Sequence, residues 1–233
     1  MQWLRSALYA LLFYPMTVVL VLAGLFITLF GRDATRRLVA TWAQLHYELA
    51  QHILGIGTEV TGAIPAGAVL IAVKHQSMYE TLEMARLADT PVIVLKRELS
   101  RIPLFGWLTR RYGVIPVDRT AGAKALRAMM EQGCELAAEG RAVIIYPEGT
   151  RVPPGSAPPL RSGFAGLYRA LGLPVVPVAV DSGRLWTKGL LKRSGIVHIR
   201  VGEPIPAGLK RDEIEARVHS AINVFELASE ASA

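Results

Sequence analysis

One cysteine, Cys134, occurs in 233 residues, so the chain holds no internal disulfide and no cysteine-ligated metal cluster. That usage is compatible with a reducing cytoplasm. Acidic residues are in deficit, 19 Asp and Glu against 26 Lys and Arg, for a formal net charge of +7. Such a balance favours an anionic partner: a membrane surface, a nucleic acid or a phosphorylated substrate. No nucleic-acid-binding motif accompanies the charge. There is no G-x-S-x-G elbow, which argues against a serine hydrolase. Neither H-E-x-x-H nor a cluster of ligand types occurs, which argues against a zinc enzyme. No internal repeat and no second catalytic region can be read. Cys134 falls within a helical pattern, where the expected role is that of a small buried hydrophobe.

Charge is also missing from Ala7 to Phe30, 24 consecutive positions, in a chain that is 52% hydrophobic. As a helix that segment would be roughly 36 Å long, against a hydrocarbon core of roughly 30 Å. It is too long for a signal-peptide core, and no small-x-small cleavage site follows it. Two dispositions are open: one tilted span, or a bent re-entrant hairpin with Pro15 at the bend. Trp3, Tyr9 and Tyr14 are of the interfacial kind, and Arg32, Arg36 and Arg37 follow the segment against Arg5 before it. That asymmetry favours a main domain on the cytoplasmic face. Leu38, Trp42, Leu45 and Leu49 recur at helical spacing, an amphipathic helix for the domain or the membrane interface. His46 and His52 on it are expected to be structural. Gly55-Ile56-Gly57 resembles the start of a dinucleotide fingerprint, but no strand precedes it and no helix opens after it. The expected organisation is a membrane-anchoring segment at 1–31, an amphipathic helix at 32–57 and a catalytic domain at 58–233.

The rest reads as α/β, a largely parallel or mixed sheet of about seven strands flanked by helices. Apolar runs predict strands at 69–73, 91–95, 112–117, 141–146, 175–180 and 196–201. Helices are expected over 77–88, on the face Leu126, Met129, Met130, Gly133 and Ala137, and on the face Ile214, Val218, Ala221 and Phe225. His198 is expected in the sheet and His219 at the periphery. The run Ile102-Pro103-Leu104-Phe105-Gly106-Trp107 is expected in the core, with a lipid-facing surface or the lining of an acyl channel as alternatives.

The run 69–73 stops at Lys74-His75-Gln76-Ser77, and Ser77 with Glu80 fits the S-x-x-E capping box. His75 therefore sits in a strand-to-helix turn, where open α/β sheets bind ligands. Imidazole side chains titrate near neutrality and serve as general bases, and a carboxylate on one ring nitrogen fixes the tautomer. Two readings of Glu80 compete at this stage, a helix cap or an orienter of His75, and they look mutually exclusive.

Polar residues also end the other strands: Lys96-Arg97, Asp118-Arg119 and Glu148-Gly149-Thr150-Arg151. In a parallel sheet these ends share one rim. Arginine forks match phosphate oxygens, and Gly149 would let backbone N–H groups approach an anion. A base beside a cationic pocket, tethered to a bilayer, describes an enzyme acting on a phosphorylated lipid.

These blocks resemble those of the glycerolipid acyltransferase family, in order from about Lys74 to Val180. His75-Gln76-Ser77-Met78-Tyr79-Glu80 is similar to the H-x4-D box, with Glu80 where the family more often has Asp. Lys96 to Gly106 resembles the second block, and Val117-Asp118-Arg119 the strand-end arginine motif. Tyr146-Pro147-Glu148-Gly149-Thr150-Arg151 resembles the F-P-E-G-T-R box, and Val175 to Val178 the last block. The resemblance implies transfer of a fatty acyl group from acyl-CoA or an acyl carrier protein thioester to the sn-2 hydroxyl of lysophosphatidic acid, giving phosphatidic acid. It implies His75 as the base, Glu80 as its orienting carboxylate, and Arg119, Glu148, Gly149, Thr150, Arg151 and Lys96 as the phosphate pocket. No bound cofactor, metal or acyl-enzyme is implied, because the thioester is already activated. Backbone N–H groups near the box are expected to hold the oxyanion. The expected partners are the two substrates, the lipid bilayer and an acyl carrier protein, with no nucleic acid. Another lysolipid acceptor, such as a lyso-ornithine lipid, is the first alternative, and a non-enzymatic basic binder the second.

Overall fold

The computed structural model describes residues 1–118 and 122–226. Seven strands form one mixed sheet in the order β1-β7-β6-β2-β5-β3-β4. They are β1 (Ile56–Thr61), β2 (Leu70–Val73), β3 (Val92–Lys96), β4 (Ile115–Val117), β5 (Val143–Ile145), β6 (Val175–Val180) and β7 (Gly195–Val201). β2 lies at the centre, parallel to β5 and β6, and all four of its residues are buried. β3 and β4 continue the parallel order, whereas β7 turns antiparallel against β6 and β1 runs parallel to β7. The carboxyl ends of β2 to β6 thus share one rim.

Alternation along β2 splits the core into two layers, as the period of a strand requires. Ile71 and Val73 join Tyr9, Phe13, Ala43, Tyr79 and Leu82 on one face. Leu70 and Ala72 join Phe164, Leu167, Ile214 and Val218 on the other. The first face is covered by α1 (Gln2–Ile27), α2 (Arg32–Leu49) and α3 (Tyr79–Leu87). The second is covered by α5 (Gly122–Ala137), α6 (Ser162–Leu171) and α7 (Arg211–Ile222).

α1 folds back along α2. Tyr9 Oη meets His46 Nδ1 at 2.7 Å, and Trp42 Nε1 donates to Thr17 Oγ1 at 3.0 Å. Further along, Gly24 lies against Leu38 and against Leu108 of α4 (Phe105–Tyr112). Three contacts at successive levels mean that the two helices run side by side. Ser6, Tyr9, Phe13 and Gly24 are buried, whereas Leu4, Leu8, Leu11, Val18, Leu22 and Phe26 are exposed. Most of the apolar surface of α1 therefore lies outside the core. His46 is fully buried and held neutral, its pKa lowered by desolvation to about 3, while His52 is exposed beside Glu48. His198 lies in β7 as expected.

Three local expectations fail. Tyr112 ends α4, and its strand is confined to Ile115–Val117, because Gly113 takes the left-handed conformation that closes the helix. A strand, β1, begins at Ile56 within the Gly-Ile-Gly stretch. Its outer residues Glu59 to Thr61 are exposed, so it lacks the apolar run that marks a buried strand. Cys134 is exposed rather than buried. Of the apolar run at 102–107, Ile102 and Leu104 lie on the surface and Gly106 is buried. A Cβ on Gly106 would fall 2.0 Å from the Ser100 carbonyl oxygen, which explains the glycine.

Candidate active site

β2 delivers Lys74 and His75 to the rim, and two long-range carboxylates decide where each points. The Lys74 ammonium is fully buried and donates to Glu148 Oε1 at 2.7 Å, to the Ser156 carbonyl at 2.6 Å and to Asn223 Oδ1 at 2.6 Å. The second oxygen of Glu148 accepts the His75 backbone N–H at 3.0 Å. Glu148 therefore faces inward. This corrects its placement in a phosphate pocket: both of its oxygens are occupied by the strand end that it supports.

The His75 ring is only 12% exposed and lies 4.3 Å, centroid to centroid, from the Tyr146 ring. Its Nδ1 meets Glu80 Oε1 at 2.9 Å. The same oxygen accepts the backbone N–H groups of Gln76 at 2.8 Å and Ser77 at 2.6 Å. Oε2 accepts the hydroxyls of Ser77 at 2.6 Å and Ser182 at 2.5 Å. In return, Ser77 Oγ accepts the N–H of Tyr79 at 3.0 Å, at the start of α3. Glu80 thus caps the turn and orients His75 together. The two readings are not exclusive, because each carboxylate oxygen accepts more than one hydrogen bond.

Burial pushes the Glu80 carboxyl up, but the His75 hydrogen bond and charge and the Ser182 and Ser77 hydroxyls outweigh it and hold the group below the usual range. An ionised carboxylate only accepts, so Nδ1 carries the proton and Nε2 is left with a lone pair. Nε2 has no hydrogen-bond partner among the described residues. The rim thus presents an oriented base. The N–H groups of His75, Gln76 and Ser77 are all committed to carboxylates, so an oxyanion is not held by these three.

The other expected site residues divide. Arg151 follows the turn beside His75, since the Val152 N–H donates to the His75 carbonyl at 2.8 Å. Thr150 and Arg151 are exposed. Gly149 has φ +71°, and its N–H donates to the Tyr146 carbonyl at 3.0 Å. The glycine therefore serves the turn, not an anion. Lys96 is exposed beside Glu98, two strands from β2 across β5, roughly 10 Å at normal strand spacing. Arg119 lies outside the described residues. The proline-rich loop at 153–159 borders the site and is pinned there: Ser156 accepts from Lys74, and Gly155 N–H donates to Glu226.

Ser182 went unread in the sequence. It follows β6, 105 residues from Ser77, and nothing local marks it. The one available signal was its position at the end of a buried parallel strand.

Replacing Glu80 by Gln tests the carboxylate. Because its folded pKa lies below the unfolded value near 4.5, ionised Glu80 adds stability above that value. The increment is lost as pH falls through the depressed folded value. The variant should show a shallower acid-side loss of stability than the wild type, read by urea titration at several pH values. Glu83 is shifted upward by burial, so the difference between the two proteins is the quantity to read. Turnover should fall about 10²- to 10⁴-fold, the range of a lost acid–base function. Equal acid slopes with full turnover would contradict this account of Glu80.

Known proteins match this chain in sequence and in fold. A family model described as Acyltransferase matches residues 57–181. The 1-acyl-sn-glycerol-3-phosphate acyltransferase of Pseudomonas aeruginosa is 35% identical over 76% of this chain and 70% of its own length. The bovine 1-acyl-sn-glycerol-3-phosphate acyltransferase alpha is 32% identical over 84% of this chain and 71% of its own length. The crystal structure of the 1-acyl-sn-glycerophosphate acyltransferase PlsC from Thermotoga maritima superposes with a TM-score of 0.80 at 19% identity. It covers 99% of this chain and 98% of its own, a likeness of fold. By the family match and by relatives at this identity, the chain belongs to the acyltransferase family and is an acyltransferase.

Proposed function

We propose that the protein transfers a fatty acyl group from an acyl thioester, acyl-CoA or acyl carrier protein, to the sn-2 hydroxyl of 1-acyl-sn-glycerol-3-phosphate, giving phosphatidic acid for phospholipid synthesis. The observation that carries this reading is the His75 ring, bound at Nδ1 by Glu80 and open at Nε2. An aliphatic alcohol is a poor nucleophile at neutral pH and needs a base. His75 Nε2 takes the hydroxyl proton as the alkoxide oxygen attacks the thioester carbonyl carbon. The tetrahedral intermediate collapses, the C–S bond breaks, and the imidazolium returns its proton to the departing sulfur. Ionised Glu80 stabilises the imidazolium between those two events. The names of the relatives support lysophosphatidic acid as the acceptor. Arg151 is the phosphate ligand in this reading, with Thr150 beside it. Arg119 keeps the same role by its place in the strand-end motif.

The division into an anchoring segment at 1–31, an amphipathic helix at 32–57 and a catalytic domain at 58–233 belongs to the same proposal. α1, an apolar helix within the 29-residue stretch Gln2–Phe30, is the anchor. Its contacts with α2 favour an in-plane seat over a span. A spanning α1 would carry the exposed Arg37 and Gln44 of α2 into hydrocarbon with it, and a charge there costs about 2.5–3.5 kcal/mol or more. Immersion in one leaflet leaves them in water and gives the exposed leucines to lipid. The cytoplasmic leaflet is assigned from the arginines after α1, in keeping with the +7 charge and anionic lipid there.

The test is release of free thiol from acyl-CoA by the full chain in mixed micelles. Release should depend on added lysophosphatidic acid and match phosphatidic acid formed, mole for mole. Thioester loss that ignores the acceptor, or transfer to a lyso-ornithine lipid in preference, would overturn the assignment.

A further inference from the structure

A cavity of about 240 Å³ opens between α1 and the catalytic turn. Tyr9 and Tyr14 of α1, Ser77 and Met78 of the turn, and Trp186 line it. Three cations, Arg151, Lys188 and Lys192, also line it, and Lys188 is exposed at its edge. None of the three has an ion-pair partner among the described residues. The Lys192 ammonium donates to the Thr187 carbonyl at 2.8 Å and the Gly189 carbonyl at 2.6 Å, and lies 5.1 Å from the centroid of the Trp186 ring. Its backbone N–H donates to Ser6 Oγ at 2.9 Å, so α1 fixes the segment that carries it. Carbonyls and a ring face orient an ammonium, but they do not neutralise it.

We propose that Lys192 completes the seat for the acceptor's phosphomonoester, with Arg151, and thereby sets which lipid headgroups are accepted. This rests on the acyl-transfer reading above and extends it to a residue outside every recognised block. Burial, then the Arg151 charge, lowers the Lys192 pKa. Like charges gathered around one cleft without a protein counter-ion repel each other, and a dianion bound among them reverses the sign of that interaction. One of the three Lys192 N–H groups remains after its two carbonyls, enough for one phosphate oxygen. The phosphate groups of coenzyme A share this chemistry. The cavity favours the acceptor, because its lining includes the apolar helix along which a lipid chain would lie and the turn next to His75. The acceptor's phosphate is a few bonds from its reacting hydroxyl, so a seat in this cavity holds both near one turn.

The experiment is steady-state kinetics of the full chain in mixed micelles, with acyl-CoA and lysophosphatidic acid each varied, for wild type, Lys192→Met and Lys192→Arg. Loss of a charge-assisted bond predicts a rise of about 10- to 100-fold in KM for lysophosphatidic acid in Lys192→Met. The KM for acyl-CoA should stay within about twofold. Lys192→Arg should recover most of the loss, and glycerol 3-phosphate should compete with the lysolipid in the wild type but not in Lys192→Met. A rise confined to acyl-CoA would assign the cation to the donor and overturn the proposal. So would equal losses in the Met and Arg variants, which would mean that Lys192 only shapes its own loop. An unchanged KM in an active Lys192→Met protein would sink this inference alone. A wild type that does not acylate lysophosphatidic acid would instead sink the reading beneath it.

Discussion

His75→Ala should reduce acyl transfer by about 10³-fold or more while leaving the protein folded and membrane-bound. General-base catalysis alone is worth roughly 10²- to 10⁴-fold, and the alanine also deletes the group that Glu80 is arranged to hold. The ring lies on the rim beyond the end of β2, packed on Tyr146, so its removal leaves the pairing of the strands intact. What it leaves behind is a carboxylate still satisfied by the Gln76 and Ser77 N–H groups and two serine hydroxyls. Binding should persist: KM for both substrates should change far less than kcat, since the base acts in the transition state. The check is kcat in mixed micelles beside a denaturation curve. Retention of more than a tenth of wild-type turnover in a folded sample would remove His75 as the base.

Lys74→Met should be the most damaging single change to the fold. It strips a fully buried Glu148 of its counter-ion and leaves Ser156 and Asn223 acceptors without a donor. Breaking one side of a buried pair typically costs about 3–5 kcal/mol. The network also ties together β2, the loop at 153–159 and the end of α7, so a loss at Lys74 loosens three segments at once. Because Glu148 holds the His75 N–H, activity should fall as well, through the position of the ring. Adding Glu148→Gln to Lys74→Met removes the stranded charge and should restore part of the stability. Urea denaturation of the two single variants and the double variant reads this directly. A loss below about 1 kcal/mol in Lys74→Met, or a double variant worse than the sum of the singles, would contradict it.

Much of this site was legible because it lies in short sequence windows. The apolar run of β2, its abrupt end and the Ser77–Glu80 spacing predict the turn, and the rim follows from repeated strand ends. What escaped is what long-range packing decides. Lys74 at a strand end looks like a solvated cation until Glu148, 74 positions on, and Asn223, 149 positions on, are brought against it. Glu148 for the same reason reads as a rim residue when it is a buried support. Glu80 looked forced to choose between two tasks because spacing does not count lone pairs. Lys192 carries no signal: it lies in a loop outside the blocks, and only the return of Ser6 to that loop makes it part of the site. Tyr146 is the converse case. Its ring packs on His75, and its buried phenol oxygen lies near Thr81 outside full hydrogen-bond geometry, consistent with a position where Phe is the more common residue.

The lipid-facing reading of α1 follows the same logic. Hydropathy marks the helix, but the choice between a span and an in-plane seat depends on α2 lying beside it, through the Tyr9–His46 and Thr17–Trp42 pairs.

The claim on which the account turns is that His75 rests with its proton on Nδ1 and a bare Nε2. Nitrogen-15 NMR of ring-labelled protein in micelles, assigned by the signals missing from His75→Ala, measures this without reference to activity. At a pH where the ring is neutral, the account predicts a protonated Nδ1 and an unprotonated Nε2, and that preference should weaken in Glu80→Gln. A neutral His75 with its proton on Nε2 would have no lone pair for the acceptor hydroxyl, and the base assignment would fail.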